Sequence, residues 1–549
     1  MTLPDPQMRW WGWGEPEAPV HVSEAGWALL RDEMELQDAP EAPPPRLEDV
    51  RLADPALPGA VADGLRAAVG EQHVVDDTLA RVRHAAGRSY PDLVRLRAGG
   101  DLAAPDAVVL PGSADEVAAV LAVCDSAGVA VVPFGGGTSV VGGVEPLGGG
   151  FDAVIALDLR RLDSLEVDRR SLTATIGGGL PGRRAEARLQ GRGLTLGHFP
   201  QSFEFASVGG YVATRSAGQA STGYGRIDEL VLGARMIAPA GEILVKPVPA
   251  SAAGPALREL VVGSEGVLGA IVDATLAVAP LPEFRRYEGW SFRSFGEGAE
   301  AFRALEQGKA APDVARLSDE EETRLAMALS SSGGLTERAG RAYLRARGHD
   351  GGCIVIVGWE GDQATVARRR AAGASILSAG GGLPLGQRPG RAWLRTRYVG
   401  PYLRDVLLGR GVLAETLETA TTWTQLDGLH RAVGAALSDA FSSRGTPPLV
   451  GCHVSHLYRS GASLYFTYMA RAERGAELDQ WRAAKDAACD AIVANGGTLT
   501  HHHAVGVDHA PWMGAEVGDL GLELLRAAKE RLDPRGIMNP GKLIPLPTS

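Results

Sequence analysis

The order of hydrophobic and polar positions predicts an α/β unit beginning just after residue 100. Residues 107–111 and 129–133 are short apolar runs of the kind that form buried strands. Between them, Ser113 followed three residues later by Glu116 is a capping box, and it predicts a helix over 114–127 that ends at a glycine. Strand, helix and strand in so short a stretch are typical of an α/β domain.

Further apolar runs extend this pattern along the chain. Short strands are predicted at 154–157, 174–176 and 270–272, so 104–283 is interpreted as one α/β domain. The following part of the chain mixes helical segments with β-rich stretches, of which 353–359 and 463–468 are the clearest. This change of pattern predicts a second domain.

The two ends of the chain differ from these domains. The first residues are punctuated by proline and carry Trp10, Trp11 and Trp13, which predicts an arm anchored against a domain. The tail contains one amphipathic helix over 520–532. The sequence thus predicts four parts: an N-terminal arm or helical region at 1–75, a cofactor-binding domain at 76–285, a substrate (cap) domain at 286–490 and a segment completing the active site at 491–549.

Composition excludes several classes of function. The chain has 549 residues and a net charge of −11, which argues against nucleic acid as a partner, since phosphates attract basic surfaces. Its four cysteines show no CxxC spacing, so core thiols in a reducing compartment are expected. No apolar run reaches the roughly 20 residues that span a bilayer. The expectation is a cytoplasmic protein, with contact to a membrane surface left open.

The segment 133–139 reads PFGGGTS and directly follows a predicted strand. Three glycines permit positive φ and close backbone approach, and successive free N–H groups form a nest suited to a diphosphate. Thr138 and Ser139 add hydroxyl donors. A tight turn explains a lone GGG run equally well, and the spacing is not that of the Rossmann fingerprint.

Two further glycine-bearing loops strengthen the cofactor interpretation. The segment 200–216 includes FASVGG, and the segment 262–269 reads VGSEGVLG. In this order the three segments resemble the vanillyl-alcohol-oxidase-type FAD domain. The resemblance implies an α+β fold, with a two-part PCMH-type FAD-binding domain, an α+β substrate (cap) domain and a C-terminal helical return. The FAD-binding residues that it implies are Pro133, Phe134, Gly135, Gly136, Gly137, Thr138, Ser139, Gln201, Ser202, Ser207, Gly209, Thr214, Arg215, Ser216, Ala217, Glu265, Gly266, Val267, Leu268, Gly269 and Ile271.

The flavin is expected to be non-covalent. Members of this superfamily that attach FAD covalently usually do so through a histidine near the first loop, or through a cysteine. No histidine occurs between His84 and His198.

The C-terminal half resembles the alkyldihydroxyacetonephosphate synthase (alkylglycerone-phosphate synthase) family, and the resemblance covers nearly the whole chain. The matching segments are RWWGWG at 9–14, ARLSD at 315–319, YLRD at 402–405, LETA at 417–420, GASLYF at 461–466 and THHHAVG at 500–506. The resemblance implies exchange of the acyl group of acyl-dihydroxyacetone phosphate for a fatty alcohol, through a flavin N5 adduct and without net redox change.

The same resemblance assigns roles to residues. It makes Tyr465, His501, His502 and His503 catalytic, and the substrate-binding residues that it implies are Arg404, Arg316 and His198. These residue types suit the chemistry. A proton must leave and return at a carbon next to a ketone, which suits histidine, and an anionic substrate group pairs well with planar arginine.

A metal site is the specific rival for the histidine run. In an extended segment adjacent side chains point to opposite faces, so at most His501 and His503 could share an ion. Flavin-dependent D-2-hydroxyacid dehydrogenases, which resemble the chain in the same two domains, carry metal ligands on an HxGDGNxH-like strand. Here that strand reads YRSGASLY at 458–465, so the acid is missing and Tyr465 replaces the final histidine. No metal is therefore predicted.

Other readings stay open. The ending NPGK at 539–542 is typical of flavin-dependent D-2-hydroxyacid dehydrogenases, so oxidation of a hydroxy acid or alcohol is the alternative function. A non-catalytic lipid-binding flavoprotein is a third hypothesis.

A basic cluster at Arg388, Arg391, Arg395 and Arg397 is a solvated face or a site for phosphate or anionic lipid. The expected partners are lipid substrates, a membrane surface in peripheral contact and a second copy in a homodimer, without nucleic acid.

Overall fold

The computed structural model describes residues 8–15, 22–36, 42–43, 45–329 and 334–545. Parts of the predicted N-terminal arm, at 1–7, 16–21, 37–41 and 44, therefore lie outside the described residues. Its described part is anchored as expected: Trp10 and Trp13 are buried, and the backbone N–H of Trp13 donates to Asp405. Two helices follow in this part of the chain, Glu24–Met34 and Gly59–Val69.

A four-stranded sheet contains the strands predicted after residue 100. Its strands, in spatial order, are Val74–Val75, Ala107–Val109, Val154–Asp158 and Ala130–Phe134, with the first pair antiparallel and the others parallel. The predicted helix is Ala114–Ala127, capped by Ser113 and ended by Gly128 in the left-handed region. One half of the predicted capping box differs, because the Glu116 carboxylate accepts from the backbone N–H of Gly112 instead.

A five-stranded antiparallel sheet lies beside it. Its strands, in spatial order, are Gly241–Val245, Val231–Ala238, Ala270–Ala277, Thr173–Gly177 and Leu165–Asp168. Short helices connect and cover these strands: Gly182–Gln190, Val208–Ala213, Ser221–Tyr224, Ile227–Leu230 and Arg258–Val261. The buried side of the sheet forms one hydrophobic cluster with the helix Val208–Ala213.

A seven-stranded antiparallel sheet forms the second half of the molecule. Its strands, in spatial order, are Leu383–Gly386, Phe284–Phe292, Cys353–Gly361, Val314–Ser318, Leu449–Val454, Gly461–Arg471 and Val412–Thr422. The helices Phe295–Gln307, Gln363–Ala379, Leu426–Ser442 and Glu477–Ala494 cover its apolar face. Alternation along the strands sends Tyr465 and its cross-strand partners Glu418 and His453 to the opposite face.

The tail returns to the first sheet. The predicted amphipathic helix is longer than expected, Met513–Leu532, with a break at Gly518, where φ is +73°. Beyond it, Met538 pairs in parallel with Val131 at the edge of the four-stranded sheet. Residues after the histidine run are thereby tied to the strand that leads into the PFGGGTS loop.

The remaining elements are short or peripheral. The helices are Thr78–Arg83, Tyr90–Ala98, Glu320–Leu329, Leu335–Ala346, Gln387–Thr396 and Gly400–Gly409, the 3-10 turns are Leu47–Asp49, Glu71–His73 and Ala510–Trp512, and the two-stranded pairs are Val50–Arg51 with Gly100–Asp101 and Leu194–Thr195 with Ala279–Pro280. The chain is thus an α+β protein. All four cysteines are buried free thiols, as predicted. Among the described helices, none combines the length and apolarity needed to cross a membrane.

Candidate active site

The three predicted glycine loops converge at one place. A Cβ on Gly135 would lie 2.2 Å from Oγ of Ser207, and one on Gly136 would lie 2.1 Å from the carbonyl oxygen of Phe205. On the other side, Gly266 adopts a φ of +76°, and its Cβ would lie 3.0 Å from the ring of Pro133. The first loop therefore packs between the second and third loops so closely that side chains are excluded.

A cavity opens where the first two loops meet. The residues that line it are Met8, Arg83, His84, Arg88, Phe134, Gly135, Gly136, Gly137, Arg160, Gly179, Pro181, Phe205 and Ser207. Burial lowers the pKa of Arg88 to about 10, against the carboxylates of Asp92 and Asp405, so its guanidinium stays charged near neutral pH. Arginines beside bare glycine backbone provide the donors that a diphosphate requires.

His84 is the histidine nearest to the first glycine loop, and both of its ring nitrogens are occupied. Nδ1 lies 2.7 Å from the carbonyl oxygen of Ala80, and Nε2 lies 2.8 Å from Oδ2 of Asp158. The ring packs on Phe134 with centroids 4.3 Å apart. This histidine is therefore held in place by protein groups and has no free nitrogen to offer a flavin.

Many side chains of the predicted cofactor residues are engaged within the protein. Ser207 caps the helix Val208–Ala213, Thr214 donates to the carbonyl of Gly210, Arg215 pairs with Glu259, and Ser216 contacts His198. Val267, Leu268 and Ile271 belong to the hydrophobic core, and Ala217 is buried. The amide nitrogen of Gln201 is buried without a hydrogen-bond partner. The contribution of these loops to ligand binding therefore comes mainly from backbone groups.

Glu265 joins the third glycine loop to the segment after the histidines. Its carboxylate accepts the backbone N–H groups of Val505 at 2.8 Å and Gly506 at 2.7 Å. Burial raises the pKa of Glu265 to about 7, although these two donors oppose the change. The amide of Asn539 donates to the Glu265 carbonyl at 2.6 Å, so the tail secures the same junction. The histidine run is thereby fixed against the predicted cofactor loops.

The three histidines are organised around one buried carboxylate. Glu418 accepts the backbone N–H groups of His501 at 2.5 Å, His502 at 2.9 Å and His503 at 2.7 Å. The hydroxyl of Thr500 donates to it as well, at 2.7 Å. Four donors converging on one carboxylate turn the backbone sharply at this point.

Electrostatics hold this cluster in a defined charge state. Burial opposes ionisation of Glu418, but the nearby imidazoles and the backbone donors outweigh it and hold its pKa well below the usual range. Burial lowers the pKa of all three histidines, in spite of the attraction of Glu418, and that of His503 falls to about 3. The histidines are therefore neutral near physiological pH and able to accept a proton.

The extended geometry expected for the histidine run is wrong. Because the chain turns around Glu418, the adjacent rings of His501 and His502 meet edge to face, with their Nδ1 atoms 2.8 Å apart. His456 stacks on His501, and within the described residues these three histidines place one ring nitrogen each within 4.8 Å of the others. Such a trio has the spacing of metal ligands, so the argument that limited sharing to His501 and His503 does not hold.

Tyr465 lies on the polar face of the seven-stranded sheet, among imidazoles. Its ring centroid is 4.8 Å from that of His453, 5.4 Å from that of His503 and 6.0 Å from that of His502. Burial raises the pKa of Tyr465 to about 12, so the phenol stays protonated. The core tyrosine of this strand is instead Tyr468, which packs against Phe441 on the opposite face.

Arg316 is placed behind Tyr465 and is already paired. Its guanidinium donates to Glu322 at 2.9 Å and contacts both ring nitrogens of His453 at 3.1 Å. Burial alone would raise the pKa of Glu322, but Arg316 and His453 lower it to about 2. Arg316 therefore acts on Tyr465 indirectly, by contacting the His453 ring that stacks on it.

Arg404 has free donors, in contrast to Arg316. Nη1 donates to the carbonyl oxygen of Arg88 at 2.6 Å, and the N–H of Arg88 in turn donates to the carbonyl of Ser139 in the first glycine loop. Nε and Nη2 of Arg404 are buried without a hydrogen-bond partner. A buried, charged donor pair left unpaired at this junction favours an anionic ligand.

His198 is buried beside the second loop. Its Nε2 lies 2.7 Å from Oγ of Ser216, whereas Nδ1 has no hydrogen-bond partner. Burial lowers the pKa of His198 to about 3, and the charge of Arg226 acts in the same direction. The ring is therefore a neutral group beside the second loop.

Five residues of this cluster were not among the predicted site residues. Tyr458 contacts Nε2 of His501 at 2.5 Å, and His456 contacts Ser221 at 2.6 Å. The missed residues are Arg226, Glu418, His453, His456 and Tyr458. The only sequence signal was their proximity to matched segments, since Glu418 lies in LETA and the others carry no motif of their own.

Family models match both halves of the chain. Residues 105–245 match the model described as FAD binding domain, and residues 281–543 match the model described as FAD linked oxidases, C-terminal domain. The first match covers the PFGGGTS and FASVGG loops, and the second covers Arg316, Tyr465 and the histidine run.

Curated relatives match over nearly the full length. An alkyldihydroxyacetonephosphate synthase of Dictyostelium discoideum is 32% identical over 98% of this chain and 94% of its own length. The enzyme of the same name from Trypanosoma brucei brucei is 35% identical over 91% of this chain and 83% of its own length. A solved structure of an alkyldihydroxyacetonephosphate synthase has a TM-score of 0.84 and 30% identity, covering 98% of this chain and 99% of that one.

Proposed function

The chain belongs to the alkyldihydroxyacetonephosphate synthase family of FAD-dependent enzymes, and we propose that the cluster around Tyr465 and His501–His503 is its catalytic centre. The reaction exchanges the acyl group of acyl-dihydroxyacetone phosphate for a fatty alcohol and yields an ether lipid precursor. The observation that carries the assignment is the Glu265 carboxylate, which fixes the backbone after the histidines to a cofactor loop.

The residues present fit FAD. The glycines of the first loop exclude side chains, and the arginines around the cavity match a diphosphate. We propose that residues 76–285 hold the cofactor, that 286–490 bind the lipid substrates and that 491–549 complete the site. The engaged nitrogens of His84 support non-covalent binding. When bound, FAD supplies a ring system that lets one oxygen substituent at the substrate carbon replace another without net redox change.

Proton transfer is assigned to the imidazoles. The proton leaves a carbon next to a ketone, so its acceptor must be neutral at working pH, as burial makes these histidines. Both nitrogens of His501 are engaged, by Tyr458 and by His502. We therefore assign the base to His502 or His503, whose rings contact Tyr465. Tyr465, protonated, donates its hydroxyl proton to the departing carboxylate, and the resulting phenolate takes the proton of the arriving alcohol in return.

Anion recognition is assigned to Arg404. Its two unpaired buried donors can bind a carboxylate or a phosphate in the bidentate manner that guanidinium favours. Arg316 is neutralised by Glu322, so we propose that it orients His453 behind Tyr465. His198, neutral and buried with a free Nδ1, adds a polar contact on the cofactor side of the substrate.

Oxidation of a hydroxy acid or alcohol is the less supported alternative. The full-length relatives at 32% and 35% identity bear the name of the synthase. In this chain the corresponding strand reads YRSGASLY at 458–465, which lacks the acid and carries Tyr465 in place of the final histidine, so two of the dehydrogenases' metal and substrate ligands are replaced.

We propose three further properties: membrane contact, location in the cell and oligomeric state. The substrates are lipids, which supports peripheral contact with a membrane. The buried free thiols support a reducing, cytoplasmic location. The family resemblance supports a homodimer, which sedimentation velocity of the holoenzyme would establish or reject.

The assay that tests the function separates transfer from oxidation. Purified holoenzyme receives palmitoyl-dihydroxyacetone phosphate and labelled hexadecanol in the absence of an electron acceptor. Formation of the labelled ether together with free palmitate is the expected result. Turnover that requires an acceptor and a hydroxy acid would overturn the proposal.

A further inference from the structure

The helix Gln387–Thr396 carries a basic face that the proposed reaction does not use. Arg388, Arg391 and Arg395 are exposed and recur at intervals of three and four residues, so they share one side of the helix. The opposite side packs on the seven-stranded sheet, where Pro389 meets Gly289 and Trp393 stacks on Tyr287. The helix is therefore held rigidly, with its arginines turned outward.

These arginines differ from their neighbours in lacking acidic partners. On the adjoining strand and helix, Arg286 and Arg370 both pair with Glu288, and Arg369 pairs with Asp313. None of the three outward arginines forms an ion pair with a described carboxylate, and Arg391 contacts only the amide of Gln387. In a protein with a net charge of −11, an unneutralised basic face indicates a negatively charged partner.

An aromatic cluster connects this face to the active site. The Arg397 guanidinium lies 4.8 Å from the ring centroid of Tyr398 and 5.1 Å from that of Phe199. Phe203 stacks on Tyr398 at 5.7 Å. Phe199 directly follows His198 in the chain, so half-buried rings extend from the end of the basic helix to the buried histidine of the second loop. An apolar lining beside a basic surface suits an acyl chain entering from a lipid layer.

We propose that the exposed face of Gln387–Thr396 docks on an anionic lipid bilayer, with Arg388, Arg391 and Arg395 against the phosphate headgroups. The proposal rests on the lipid-exchange function, because it explains how water-insoluble substrates reach the aromatic cluster. Docking is electrostatic, since the apolar side of the helix is occupied by the protein core. Together the three side chains raise bilayer affinity by roughly 100-fold.

Vesicle co-sedimentation tests the docking. The holoenzyme is mixed with vesicles of phosphatidylcholine alone or with vesicles in which phosphatidylglycerol makes up roughly a third of the lipid and supplies a negative surface potential. We expect binding only to the anionic vesicles, loss of roughly 100-fold in affinity for the triple variant Arg388→Gln, Arg391→Gln, Arg395→Gln, and release by salt. The matched control replaces Arg46, Arg51 and Arg66 by glutamine. These three arginines are at least partly exposed but are paired with carboxylates, so this variant should bind like the wild type.

The outcomes separate docking from catalysis. Equal binding of both triple variants, or equal binding of the wild type to neutral and anionic vesicles, would overturn the docking surface. With substrates dispersed in detergent, the basic-face variant should keep wild-type ether synthesis, and it should lose activity only when the substrates are embedded in anionic vesicles. If the wild type binds anionic vesicles selectively but forms no ether, the docking surface stands and the proposed function is overturned.

Discussion

The backbone N–H of His502 donates to Oε1 of Glu418 at 2.9 Å, while Nδ1 of the same histidine lies 3.5 Å from Oε2. One carboxylate thus fixes both the position of the residue and the electrostatic environment of its ring. Because Glu418 is buried and also receives the N–H groups of His501 and His503, the geometry of the whole run depends on it. We regard Glu418 as a positioning residue, since it acts through the imidazoles.

Replacing Glu418 by glutamine should reduce turnover and move its pH dependence. An amide nitrogen cannot accept an N–H, so one of the four donors is left unsatisfied, at a cost of about 1–3 kcal/mol. Loss of the negative charge lowers the pKa of the histidines further, because Glu418 raises them. In Glu418→Gln we expect kcat to fall at least roughly tenfold and the acidic limb of the kcat profile to shift to lower pH.

Glu186→Gln is the matched control for that variant. Glu186 is also buried and accepts the Thr195 hydroxyl and the Leu196 N–H, without a hydrogen bond or ion pair to His501, His502 or His503. It should lose stability without any change in the pH profile. The same shift in both variants would mean that Glu418 contributes only to stability.

Tyr465→Phe should abolish ether formation and leave FAD bound. The hydroxyl is the proposed proton donor, and general acid–base groups contribute roughly 100-fold or more to rates. Tyr468→Phe is a close control, because its hydroxyl is buried on the core face without a hydrogen-bond partner. Flavin absorbance and ether synthesis are measured together. Loss of flavin from Tyr465→Phe would show that the residue is structural, and full activity would exclude the assigned role.

Local signals in the sequence were sufficient for the elements around the cofactor loops. Ser113 and Gly128 mark the two ends of the predicted helix correctly, because capping depends on neighbouring residues alone. The predicted glycine loops lie where one backbone segment approaches another closely. The Tyr465 strand and the amphipathic tail helix were also predicted, since periodicity is local. The structure adds the way in which these segments meet.

The arrangement of the histidines was beyond a local argument. Glu418 lies more than 80 positions before His501, and only the pairing of its strand with the Tyr465 strand brings it under the run. Without that carboxylate, an extended chain was the reasonable expectation, and it separated His501 from His502. The turn that unites them is imposed by a tertiary contact, which no spacing rule encodes.

Arg404→Lys should weaken binding of the anionic substrate selectively. A lysine can reach the Arg88 carbonyl or the ligand, but it lacks the planar fork that serves both. We expect KM for acyl-dihydroxyacetone phosphate to rise roughly 10- to 100-fold, the range for hydrogen bonds to charged groups, with KM for the alcohol unchanged. Arg410→Lys is the control, because Arg410 lies over the Trp27 ring, 4.4 Å from its centroid, and this variant should behave like the wild type. An equal rise in both KM values would contradict the assignment.

Gly136→Ala should impair FAD binding. The new methyl group would lie 2.1 Å from the carbonyl oxygen of Phe205, which is backbone and cannot rotate away, so the two loops must separate. At about 1–3 kcal/mol for overpacking, FAD affinity should fall roughly 5- to 100-fold. Gly434→Ala, in a helix with open space around it, should retain its flavin. A full flavin complement in purified Gly136→Ala would place the cofactor elsewhere.

His198→Gln should change how stability depends on pH. Burial lowers the folded-state pKa of His198 to about 3, whereas an unfolded histidine titrates near 6.5. Between these values the unfolded chain binds the proton and the folded chain does not, so His198 destabilises the fold as pH falls below 6.5. The slope is at most about 1.4 kcal/mol per pH unit, and the glutamine variant lacks it.

The measurement compares wild type and variant as FAD-saturated proteins in chemical denaturation at pH 7 and pH 5. Because the pKa of Glu265 is raised, this residue changes the free energy of unfolding in the opposite direction between pH 4.5 and 7. It is present in both proteins, so its contribution cancels in the difference. At pH 7 the variant should be less stable, since it lacks the 2.7 Å contact with Ser216. At pH 5 the deficit should shrink by up to about 2 kcal/mol. The same pH dependence in His198→Gln and the wild type would mean that His198 is not held neutral by burial.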